Sequence, residues 1–151
     1  YLNQMRDRLA KRLNIGVHRD GKKQFTMLNV GQLLALDDSR WNREMTLTTG
    51  LVSQNYDSAL VLTYFFYHHD GDGDARGMIQ FLRAVEEGVP TDQAIAEHLL
   101  RGRSFAQIEA EIKNGLERDG VPVAWAERDG PVWIVEGLLN GFGLSTERGK
   151  F

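Results

Sequence analysis

The chain has 151 residues, 42% of them hydrophobic and 26% charged, with no cysteine; this excludes disordered, collagen-like and low-complexity classes, disulfide frameworks and cysteine-ligated zinc or iron–sulfur sites. Eighteen Lys and Arg against 21 Asp and Glu give a formal net charge of −3, and the basic residues are scattered rather than striped, which argues against a non-specific nucleic-acid grip. One core is affordable at this size, and the longest apolar stretch, Ala59 to Tyr67, is interrupted by Thr63 and falls far short of the roughly 20 residues a membrane-spanning helix needs.

The chain starts at Tyr1 with no initiator Met and no charged-then-apolar leader, which reads as a processed product or a piece of something larger. Leu2, Met5, Leu9 and Leu13, with Arg6, Arg8, Lys11 and Arg12 between them, predict an amphipathic packing helix ended by Gly16. His18 to Lys23 reads as a polar turn, and Phe25 to Leu28 as a short strand or extended connector. Asn29 is placed to cap a short helix carrying Leu33, Leu34 and Leu36, followed by a turn at Asp37-Asp38-Ser39.

From about Ser53 to Tyr67, apolar side chains surround most of a helical circumference, which predicts a buried central helix with Leu60, Leu62, Phe65 and Phe66 in the core. Asp70-Gly-Asp-Gly-Asp74 breaks the chain. Met78, Ile79, Phe81, Leu82 and Val85 then mark a helix up to Gly88, and Thr91 reads as the cap of another with Ala94, Ile95, Leu99 and Leu100, ended by Gly102. Ser104 with Gln107 forms a capping box for an amphipathic helix bearing Phe105, Ile108, Ile112 and Leu116.

Beyond Gly120, Val121 to Ala126 is β-prone, Glu127 to Gly130 a turn, and Pro131 the first residue of a helix reaching about Phe142. A hairpin with Val132 to Val135 as its second strand competes with that helix. The expected fold is a single, mainly α domain of about six helices with little or no β, apart from a short strand or hairpin near 121–135.

Several constellations have chemical readings. Asp70, Asp72 and Asp74 alternate like the first ligands of a calcium loop, but its sixth position is Ala75 and its twelfth Phe81, where such a loop needs Gly and a bidentate Glu. A Gly/Asp turn with Asp74 capping the next helix is the expectation. His68 and His69 beside these carboxylates suggest a transition metal, but adjacent helical positions point about 100° apart and cannot easily share one ion. His18 and His98 read as surface or packing residues, and Tyr64 to Tyr67 as core. No G-x-S-x-G, phosphate-binding Gly-rich loop or H-E-x-x-H occurs.

Leu33-Leu-Ala-Leu-Asp-Asp38, the helix led by Tyr56, Gly73-Asp-Ala-Arg-Gly-Met-Ile-Gln-Phe-Leu82 and Gly88-Val-Pro-Thr-Asp-Gln-Ala94 together resemble the helical C-terminal half of the bacterial peptidase MA-like (gluzincin) proteins. Trp133-Ile-Val-Glu-Gly-Leu138 is similar to the W-x-x-E-G segment that follows the H-E-x-x-H helix in that family. The resemblance divides the chain into a helical part, 1–120, and a segment, 121–151, like the third-ligand region. It implies Glu136 as third zinc ligand and Tyr56 as a phenol facing the cleft, able to stabilise an oxyanion.

The family's H-E-x-x-H helix, which supplies two His ligands and the general-base Glu, is missing, and the segment order is inverted, since W-x-x-E-G comes last here. Glu136 alone cannot hold zinc, so zinc belongs to a complete protein and this chain is expected to be inactive. The alternatives are a degenerate relative or a helical interaction domain that binds a protein or peptide. A secreted or periplasmic location is what the resemblance suggests.

Overall fold

The computed structural model describes residues 25–126, Thr48 aside, with the backbone alone for residues 45–53. Six helices dominate, accompanied by one two-stranded parallel sheet. The order is β1 (Phe25–Met27), α1 (Val30–Leu34), α2 (Asp38–Leu47), α3 (Thr49–His68), α4 (Arg76–Glu86), α5 (Thr91–Ala94) running into a π-helical turn (Ile95–Leu100), α6 (Phe105–Arg118) and β2 (Val123–Trp125). The mainly α class expected from the sequence holds.

Local chemistry accounts for most boundaries. Asn29 is the cap of α1, its side chain accepting the Gln32 N–H at 2.8 Å, while Leu36 lies beyond the helix end. Ser104 accepts the Gln107 N–H at 3.2 Å and the Gln107 side chain accepts the Ser104 N–H at 2.8 Å, closing the capping box of α6.

Three boundaries correct the sequence reading. The stretch expected as a turn at Asp37 to Ser39 instead starts α2, because the Asp37 carboxylate accepts the Arg40 N–H at 2.7 Å and its carbonyl accepts the Trp41 N–H at 2.8 Å. Residues 38–47 lack an apolar repeat, so periodicity is silent there. Thr91 is the first helical residue rather than the cap: extended Pro90 holds the cap position and its carbonyl takes the Ala94 N–H at 2.9 Å. Ile95–Leu100 is wound as a π-turn, closed by Arg101 N–H to Ala96 O at 3.0 Å, five residues back. That turn leaves Arg101 itself left-handed, at φ 50°, ahead of Gly102.

α3 is the central element, with Val61, Phe65 and Phe66 almost wholly inaccessible and Leu62 buried; Leu60 is half-buried. Ile108, Ile112 and Leu116 of α6 pack in the same cluster as Met27, Leu28, Val30 and Val123. The Ser58 hydroxyl, fully buried, donates to Gln54 O at 2.6 Å and accepts the Leu28 N–H at 2.9 Å, tying the segment after β1 to α3.

β2 pairs in parallel with β1, Phe25 opposite Val123 and Met27 opposite Trp125. The β-prone character of 121–126 is therefore used in a long-range pairing. The amphipathic helix expected over residues 2–13, the competing helix and hairpin over 131–142, His18 and Glu136 lie outside the described residues.

Candidate functional site

The last turn of α3, the Asp70–Asp74 turn, the end of the π-turn and the outer face of α6 meet around one open cleft of about 660 Å³. Phe65, His69, Gly71, Arg101, Arg103 and Glu111 line it, joined by Asn114 and Arg118. Three arginines and one glutamate stand in this lining, with Asp70 behind it paired to two of the arginines.

The cleft is built on Asp70, whose side chain is 2% exposed. Its Oδ2 lies 2.5 Å from Arg101 Nη2 and its Oδ1 2.8 Å from Arg103 Nη1. A carboxylate taken this far out of water needs such charged partners. Each nitrogen of Arg103 is engaged: Nη1 also meets Glu111 at 2.5 Å, Nη2 donates to Leu99 O at 2.6 Å and Nε to Leu100 O at 3.1 Å. It thereby ties off carbonyls at the end of the π-turn.

Gly77 lets the helices close over this cluster, since a Cβ there would lie 2.8 Å from His98 O and 3.1 Å from Asp70 Oδ2. Asp74 accepts the Arg76 N–H at 3.0 Å, the capping role expected of it, although the residue at the cap position itself, Ala75, is left-handed. The turn is thus committed inward at Asp70 and to α4 at Asp74, an arrangement unlike a loop converging carboxylates on one cation.

On the other side, Asp119 Oδ2 sits 2.8 Å from His69 Nε2 and accepts the Tyr64 hydroxyl at 3.1 Å. Gly115 admits the imidazole, because a Cβ there would come within 3.0 Å of His69 Cγ. His68 turns away, its ring edge-on to Tyr64 at 4.7 Å. Burial, then the neighbouring His69, lowers the His68 pKa, opposed by the charge of Asp119. Both rings contact Tyr64, while the hydrogen bond to Asp119 belongs to His69. Among the described residues no group of three or more His, Asp or Glu is assembled for a metal, so no step through zinc is derived from them.

Tyr56 lies in the first half of α3, away from this cleft. It is 46% exposed and stands edge-on to Trp41, ring centres 5.1 Å apart and planes at 85°. Its companion in the resemblance, Glu136, is outside the described residues, so their juxtaposition is not on view. Arg101, Arg103, Arg118 and Asp119 were not singled out from the sequence. The available signal was weak: an Arg-Gly-Arg between two helices and an Asp after a C-terminal Arg. The chain matches no protein-family model, and no curated protein or solved structure matches it.

Proposed function

We propose that this chain is the helical, substrate-framing part of a gluzincin-like zinc metallopeptidase, without catalytic power of its own because H-E-x-x-H is absent. The observation that carries the reading is Tyr56: a phenol left half in solvent in the first half of α3, backed by the Trp41 ring. A supported, exposed phenol suits a cleft-facing group that stabilises a developing oxyanion.

The test is the full-length gene product. With an H-E-x-x-H segment present, zinc should bind orders of magnitude more tightly than to this chain, Glu136→Ala should remove most of the gain, and Tyr56→Phe should lower peptide hydrolysis through kcat rather than KM. A full-length product without that motif, or one whose hydrolysis ignores Tyr56→Phe, overturns the assignment.

A second reading, a non-catalytic relative that binds a peptide or protein helix, has its own support. Ile79, Leu82 and Val85 form an exposed apolar stripe along α4, while Met78 and Ala84 face the core. Retained peptide binding in a full-length product that has no H-E-x-x-H, abolished by Leu82→Asp, would favour it.

A further inference from the structure

The arginine-lined cleft is not explained by the metallopeptidase reading, and the structural role of its arginines does not exhaust them. Arg103 is engaged at all three nitrogens, by Asp70, Glu111 and two carbonyls. Arg101 commits only Nη2, to Asp70; its Nε and Nη1 make no protein hydrogen bond among the described residues, and its side chain is 40% exposed. Arg118 has no carboxylate partner among the described residues, only a long 3.4 Å contact from Nε to Asn114 O.

These two guanidinium groups come from different elements, the end of the π-turn and the last turn of α6, and line one cleft. Arg101 takes a left-handed backbone at φ 50° where it closes the π-turn, which fixes the place from which its side chain starts. Asn114 adds an amide to the same lining. Phe65 is its sole fully apolar side chain, so a greasy ligand finds little to bury against.

We propose that this cleft binds the oxyanion group of a polar ligand, a carboxylate or phosphate held between Arg101 and Arg118. Guanidinium forks match both groups and give shorter, stronger charge-assisted hydrogen bonds than neutral donors. The volume exceeds that of a bare oxyanion and falls within the range of small-molecule sites, so the anion is the anchor of something larger. The assignment is independent of zinc and of Tyr56.

The test is titration of the intact chain with inorganic phosphate and, separately, acetate at low ionic strength, followed by calorimetry and amide chemical shifts. Saturable one-site binding is expected at about millimolar concentration or below, with shifts centred on His69, Gly71 and Asn114. Arg118 is exposed and has no carboxylate partner among the described residues, so Arg118→Gln should leave the melting temperature unchanged and weaken binding about tenfold or more, with Arg118→Lys between the two. Tighter phosphate marks a phosphorylated ligand and tighter acetate a carboxylate one; either ranking supports the site. Shifts that grow without saturating, or equal affinity in Arg118→Gln, would overturn it.

Discussion

Val30 donates its buried N–H to Glu109 Oε1 at 2.8 Å, so a carboxylate on α6 serves as acceptor for the first residue of α1, 79 positions away. Asn29 covers the Gln32 N–H of the same turn. The short helix is thus closed at its start by one local and one distant side chain, which a five-residue helix needs because its own hydrogen bonds are too few.

Burial raises the Glu109 pKa, partly offset by the hydrogen bond from Val30. A raised carboxyl pKa means the folded chain holds more protons than the unfolded one, so stability contributed by this group is present below its ordinary value of about 4.5 and lost as pH rises through the raised one. Glu109→Gln should keep an acceptor for Val30 and flatten this part of the stability–pH curve. Glu109→Ala should cost roughly 1–3 kcal/mol at every pH, because the Val30 N–H is left buried and unpaired. Urea denaturation across pH 4 to 7 reads both, and a steeper curve for the Gln variant would contradict the sign.

His68 behaves oppositely. Its lowered pKa means the folded chain holds fewer protons, so stability falls as pH drops below about 6.5 toward the folded value. The imidazole resonances of His68 should titrate below 6.5, and His68→Gln should remove its share of the acid destabilisation. A midpoint above the ordinary value would mean that Asp119, not burial, governs the ring.

Phe65→Ala should cost roughly 3–5 kcal/mol, the range for a large aromatic removed from a close-packed core. Phe65 is 1% exposed and contacts Phe66 edge-on, ring centres 5.3 Å apart. A loss under about 1 kcal/mol in chemical denaturation would contradict the central place of α3.

Asp70→Asn should cost about 2 kcal/mol, less than a fully buried ion pair would because Arg101 can swing into solvent. The Asp70–Asp74 turn should bind calcium no tighter than about millimolar by calorimetry. Its Asp70 faces two guanidinium groups and its Asp74 faces the α4 backbone and Arg76. Micromolar calcium binding would require the turn to be rebuilt.

Local signals were legible in the sequence and distant ones were not. Asn29, the Ser104–Gln107 box and the all-round apolar face of α3 depend on neighbours within four positions, and each stands where the spacing put it. The Asp37 cap was equally local but lay beside an acidic pair that reads just as well as a turn. The π-turn ends where Arg101 and Arg103 reach Asp70, 31 and 33 positions away, and no periodicity records that. The cleft was invisible for the same reason. Its arginines belong to segments whose nearness follows from packing, and the angle of about 100° between His68 and His69 that argued against a shared ion says nothing of the Tyr64 and Asp119 they meet. Tyr56 was picked out through a resemblance, and the structure adds its exposure and its Trp41 support.

The β1–β2 pair joins Phe25 to Val123, which requires the ends of a loop of roughly a hundred residues to meet, at an entropic cost that grows only slowly with loop length. The helices between them form mostly short-range contacts and can assemble within microseconds to milliseconds, whereas the strand contact must wait for the ends to find each other. The sheet therefore acts as a latch closed late in folding. Substitutions at Met27 or Val123 should consequently appear mainly as faster unfolding, with the folding rate nearly unchanged.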